Sequence, residues 1–308
     1  MPTPENFDPL VTTDWLAEHL GDPNVRVVDM RGYVSTRPVA PGVEEATYQG
    51  ASKEYHAEHI PGSVYIDWTR DIVDPDDPVP AQIAPPERFA VAMGTRGIDA
   101  STHVIAVDHK GGQFATRLWW ALMYYGHDRV SVLDGGFSRW VAEGRPVNRS
   151  SVAVETRSFV PKIRPDWRIT AESLRDALPK AGASFQLIDA RDEAQFTARK
   201  RRGLRGGHIP GAVNVPRETF VAEGGSGGFR PLPEIEAGLK AQGIDPKAPV
   251  VAYCNGGVAA TVPLFHLNRL GNTQLTNYDG SWNEWGDRPD LPAEPETPAT
   301  PPGTELND

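Results

Sequence analysis

The stretch VVAYCNGGVAATVPLF (residues 250–265) holds Cys254, the only cysteine in a chain of 308 residues. A thiolate is a soft nucleophile that forms covalent intermediates when its surroundings present an electrophile. Apolar residues precede Cys254, a glycine pair follows, and VAATVPLFHLNRLG continues as an apolar helix ending near Gly271. Cys254 is thereby expected at the carboxyl end of a buried parallel strand, facing a helix start. In open α/β sheets that crevice is where ligands bind. The N–H groups of a helix start favour an anion, a thiolate included. Gly256 and Gly257 let the backbone curl so that successive N–H groups converge, which a Cβ would obstruct. A second chemical feature is the basic run ARKRRGLRGG, with Arg199, Lys200, Arg201, Arg202 and Arg205. It reads as a solvated loop or as a nucleic-acid or nuclear-targeting patch.

The elements that must carry these residues are written twice. VTTDWLAEHL (11–20) returns as ITAESLRDAL (169–178), and VRVVDMR (25–31) as FQLIDAR (185–191). HIPGSVYI (59–66) returns as HIPGAVNV (208–215), and VIAVDHKGG (104–112) as VVAYCNGG (250–257). VSVLDGGFSRW (130–140) returns as QLTNYDGSWNEW (274–285). Five matched blocks in one order mark a tandem duplication of a unit of about 130 residues. Short β-branched runs alternate with helical stretches in each copy, so each copy is an α/β unit with a mainly parallel sheet flanked by helices. Thr12 or Thr13, and Thr170, can cap the first helix of each copy. Two domains are expected, at 8–145 and 168–290, joined by a linker at 146–167. The Pro-rich acidic segment 291–308 is expected to be a disordered tail.

The repeat supplies an internal control, because Asp108 stands where the second copy has Cys254. One copy looks chemically competent and the other structural, which argues against Cys254 as mere core packing. His59 and His208 recur in both copies, as do the pairs Asp29–Arg31 and Asp189–Arg191, so these read as structural. Trp282 and Trp285 read as packing.

Net charge is −10, unevenly spread: residues 1–150 carry −8, 151–285 carry +3 and 286–308 carry −5. A cationic segment within an acidic protein suits a small anionic substrate and disfavours nucleic acid. No apolar run is long enough to span a membrane, and the N-terminal residues show no secretory signal pattern. One cysteine allows no intramolecular disulfide, so a reducing, cytoplasmic setting is the default expectation.

Two tandem α/β units, HIPG in both, Asp108 opposite Cys254, and a closing DGSW together resemble the two-domain rhodanese family of thiosulfate and 3-mercaptopyruvate sulfurtransferases. The resemblance spans about residues 8–290. It implies two rhodanese-like domains, the first inactive and the second carrying sulfur as a Cys254 persulfide. It implies a small anionic sulfur donor, a cyanide or thiol acceptor (a thioredoxin-like one included), and neither metal nor organic cofactor. By resemblance, Asn255, Gly256, Gly257, Val258 and Ala259 form the substrate loop, Arg199 and Arg201 bind the donor's anionic end, Ser281 donates toward the sulfur, and Phe114 walls the site. The loop departs from both family patterns: it lacks the Arg-Lys pair of thiosulfate enzymes and the serine of mercaptopyruvate enzymes, where Gly256 stands. Ala259 replaces a threonine, Gln82 lies where mercaptopyruvate enzymes have a histidine, and Gln195 near a family arginine. The balance leans to thiosulfate. Two other classes compete. A cysteine phosphatase needs an arginine six residues after the cysteine, where this chain has Ala260. A persulfide carrier or binding module would share Cys254, and steady turnover separates it from an enzyme.

Overall fold

The computed structural model describes residues 8–109, 111–150, 152–223 and 227–295. The first half runs β1 (Leu10–Val11), α1 (Thr13–His19), β2 (Val25–Asp29), β3 (Gly32–Ala40), β4 (Val43–Gly50), α2 (Ser52–Ala57), β5 (Val64–Tyr65), α3 (Pro86–Gly94), β6 (His103–Val107), α4 (Gln113–Tyr124), β7 (Val130–Leu133) and α5 (Gly136–Ala142). The second runs β8 (Arg168–Ile169), α6 (Ala171–Ala177), β9 (Gln186–Asp189), α7 (Glu193–Phe196), β10 (Ala212–Asn214), α8 (Leu232–Ala241), β11 (Val250–Tyr253), α9 (Thr261–Arg269), β12 (Leu275–Tyr278) and α10 (Ser281–Trp285).

Five parallel strands form each main sheet, in the order β1-β7-β6-β2-β5 and, in the second half, β8-β12-β11-β9-β10. The two orders are the same once corresponding strands are matched. Every residue of β6 and of β11 is buried, as central parallel strands covered on both faces should be. Helix starts follow the sequence: Thr12 Oγ1 accepts from Trp15 N at 3.1 Å and Thr170 Oγ1 from Ser173 N at 3.3 Å.

Three features depart from the sequence reading. The first half carries an extra antiparallel hairpin, β3–β4, with no counterpart in the second. Its tip reaches across to the other half, where Glu44 N donates to Arg201 O and Arg201 N to Gly42 O. Second, residues 291–295, expected to belong to a disordered tail, are packed and hydrogen-bonded. Leu291 and Ala293 are buried, and His208 and Glu294 exchange backbone hydrogen bonds. Apolar burial and backbone pairing hold 291–295 in place; the remaining tail residues, 296–308, lie outside the described residues. Third, the Cys254 loop is longer than expected, because α9 starts only at Thr261.

The halves share one hydrophobic core, in which Trp119 of α4 meets Phe265 of α9 edge-on at 5.2 Å. Thr116 and Thr261 hydroxyls pair across the same helices at 2.8 Å. At the edges the contact is reciprocal. Ile83 N donates to Asp279 Oδ2 (2.8 Å), and its counterpart Phe229 N donates to Asp134 Oδ1 (2.9 Å), Asp134 being the counterpart of Asp279. The linker packs back on the first half through Phe159, edge-on to Phe89 at 5.7 Å.

Candidate functional site

β11 ends at Tyr253, and residues 254–260 curl before α9. The curl is held by Ser281, whose Oγ accepts from Cys254 N (3.1 Å) and Gly257 N (2.9 Å) and donates to Tyr278 O (2.8 Å). Trp282 N and Asn283 N donate to the carbonyls of Cys254 and Asn255. Gly257 turns the chain at φ +69°, and a Cβ there would lie 2.6 Å from Asp279 Oδ1. The amides of Asn255, Gly256, Val258 and Ala259 find no acceptor among the described residues. Four unpaired donors thus lie in the loop of a buried thiol, an arrangement of the kind that can accept an anion.

The matching loop in the first half shows what such a cradle holds. Asp108 turns its carboxylate onto the start of α4: Oδ2 accepts from Phe114 N (3.0 Å) and Ala115 N (3.3 Å), and Oδ1 from Gly112 N (3.3 Å). The first cradle is satisfied by its own side chain.

Asp279 braces the second. Fully buried, it pairs with Arg117 Nη1 at 2.5 Å, and Arg117 also reaches Gly257 O (3.2 Å) and Ala81 O (2.8 Å). A first-half arginine therefore holds the second-half loop in place.

Cys254 lies in the wall of a cavity of about 220 Å³ between the halves. Of the expected loop residues, Asn255, Gly256, Val258 and Ala259 line it; Gly257 acts behind it as the turn. The expected arginines are not there. Arg199 is solvent-exposed and donates to Glu193 Oε1 (2.9 Å); Arg201 turns back to Gly203 O (2.6 Å) and Leu204 O (3.1 Å) because its backbone is tied to the hairpin. Arg202, next along the chain, lines the cavity, with its Nε 3.8 Å from Glu44 Oε2. Arg217 joins it, salt-bridged to Glu218 at 2.5 Å. Phe114 is buried behind the wall against Trp68 (4.9 Å), and it is Trp68 and Gln113 that line. The Ser281 hydroxyl spends its proton on Tyr278 O, so it clamps the loop instead of donating to sulfur. Gln82 is buried outside the cavity, accepting from Arg168 Nη2 (3.1 Å). Gln195 does line it, with Nε2 on Asp192 Oδ2 at 2.6 Å.

Sequence reasoning missed the hairpin's contribution. Val34 of β3 and Tyr48 of β4 both line the cavity. The Tyr48 hydroxyl accepts from Asn283 Nδ2 at 3.2 Å. Burial, and after it the nearby Cys254, raise its pKa above the ordinary phenol value against the opposing effects of Asn283 and Arg202. His59 and His208 stack on Tyr55 (4.2 Å) and Phe196 (3.6 Å), and the two Asp–Arg pairs are buried ion pairs. Among the described residues no cluster of His, Cys, Asp or Glu could hold a metal, and no helix is long and apolar enough to cross a membrane.

The model of the rhodanese-like domain matches residues 12–143 and 170–288. The 3-mercaptopyruvate sulfurtransferase of Escherichia coli (strain K12) is 35% identical over 281 residues, covering 90% of this chain and 95% of its own. The thiosulfate sulfurtransferase of Rattus norvegicus is 33% identical over 287 residues, covering 90% and 91%. The crystal structure of SseA from Escherichia coli superposes with a TM-score of 0.76 at 32% identity, over 90% of this chain and 99% of that one.

Proposed function

The chain belongs to the rhodanese-like sulfurtransferases, and from that premise we propose that Cys254 takes a sulfane sulfur from a small anionic donor, carries it as a persulfide and passes it to cyanide or a thiol. One observation carries the reading: the thiol sits beside four unpaired loop amides, where the first half has a carboxylate already hydrogen-bonded. With thiosulfate, the Cys254 thiolate bonds to the outer sulfur, the S–S bond of the donor breaks, and sulfite leaves with the electron pair. The persulfide anion then lies on the loop amides, whose preorganised donors stabilise negative charge without rearranging. Cyanide or a thiolate removes the outer sulfur and returns the thiolate, a ping-pong cycle. Arg202 and Arg217 neutralise the donor.

Thiosulfate is the first donor proposed, since Gly256 offers no hydroxyl in the loop and no histidine lines the cavity among the described residues. A second donor, 3-mercaptopyruvate, is favoured by the phenol of Tyr48 and by the name of the Escherichia coli relative. Intact mass after brief incubation with either donor should show the gain of one sulfur atom, removed by cyanide. Cys254→Ser should show no gain and no turnover while keeping the wild-type unfolding transition. Sulfur transfer by that variant would refute the mechanism.

A further inference from the structure

Resting on the reading of Cys254 as sulfur carrier, we propose that Tyr48, supplied by the hairpin of the first half, is the acid that protonates carbon when the donor is an α-keto thiol such as 3-mercaptopyruvate. The two donors make different demands. Sulfite leaves as a stable dianion. An α-keto thiol loses its sulfur by breaking a C–S bond, and the electron pair stays on carbon as an enolate that must be protonated.

Tyr48 carries the one hydroxyl among the described residues lining the cavity, and no histidine lines it. Ser281, the other hydroxyl near the thiol, has spent its proton on Tyr278 O. The carboxylates of Asp192 and Glu218 are engaged by Gln195 and Arg217. Tyr48 accepts a hydrogen bond from Asn283 Nδ2, and among the described residues it donates to none. Asn283 is itself fixed to the cysteine loop, since its N donates to Asn255 O at 2.8 Å. The ring is held from behind by Trp68, edge-on at 5.6 Å. The phenol is thus oriented by the loop that carries Cys254, with its proton free to be given. Burial keeps that proton on the oxygen at working pH.

The step balances. Cys254–S⁻ forms an S–S bond to the donor's thiol sulfur, which is oxidised to the sulfane level as the C–S bond breaks and carbon is reduced. Tyr48 gives its proton to the enolate carbon. The phenolate then regains a proton from the donor's own S–H as the persulfide anion forms. In sum, Cys254–S⁻ and HS–CH₂–CO–COO⁻ become Cys254–S–S⁻ and CH₃–CO–COO⁻.

The test is single-turnover loading of Cys254 in the full chain, followed by intact mass with each donor, for the wild type and Tyr48→Phe. The phenylalanine keeps the ring and removes the proton. The ratio of 3-mercaptopyruvate to thiosulfate loading rates should fall by about 10²-fold, the lower range of general-acid contributions. Asn283→Ala, which frees the phenol without deleting it, should lower the ratio by less. An unchanged ratio, including a parallel loss with both donors, would make Tyr48 a wall residue and overturn the proposal. So would a wild type that loads from thiosulfate alone. A wild type that loads from neither donor would instead refute the sulfur-carrier reading itself.

Discussion

At the residue scale, the basic run 199–205 shows how little a string of like charges says about which member faces a substrate. Arg199 is held in solvent by Glu193, and Arg201 is turned away by its backbone bond to Gly42. Arg202 and the more distant Arg217 are left at the cavity. Arg202→Gln should raise the donor KM about tenfold, as expected for losing one charge-assisted contact, whereas Arg199→Gln should move it less than twofold; steady-state kinetics with thiosulfate checks both. Equal effects would mean that the donor docks on the outer loop. Cys254 was legible as the candidate nucleophile because the repeat exposes Asp108 opposite it, and a single substitution between copies is readable without any structure. The identity of the arginine was not legible, because it depends on a hairpin contact that local sequence does not encode.

At the scale of elements, the buried parallel strands were legible because β-branched runs recur in both copies at matching places. The hairpin β3–β4 was not, since it falls outside the repeated frame and its strands are polar and largely exposed. The alternation in VEEATYQG and the Pro-Gly turn at 41–42 were the available signal. The start of α10 performs a task that its sequence conceals. Ser281 sits at φ +53°, where its first-half counterpart Gly136 sits at +54°. A serine there accepts left-handed strain and in exchange clamps two loop amides. Ser281→Ala keeps the strain and leaves those amides without their acceptor, so it should cost about 1–3 kcal/mol. Denaturant unfolding should report that loss, and persulfide loading should slow with both donors alike. A variant as stable as the wild type would show that the loop holds its curl without the clamp.

At the scale of the whole molecule, the largest core is built by both halves, beside a smaller cluster within each, so much of the stability belongs to the chain as a unit. Its pH dependence follows from buried imidazoles. Burial, with Arg129 adding to it, lowers the His103 pKa from 6.5 to about 4, and burial lowers His127 and His266 as well. The folded chain keeps these rings neutral while the unfolded chain takes up protons below about pH 6.5, so acid favours unfolding. Calorimetric Tm should fall as pH drops from about 6.5 toward 4, and His103→Gln should flatten that fall. A Tm that holds or rises on acidification would contradict it. The reciprocal contacts of Ile83 with Asp279 and of Phe229 with Asp134 have a different consequence. Each half meets the other through the same pair of positions, which is the pattern of a two-fold dimer interface. Two identical subunits meeting this way would be obliged to place one residue type in both cradles. A single continuous chain carries no such obligation, and covalent joining is what lets an acid close one cradle permanently while the other keeps a thiol and unpaired amides.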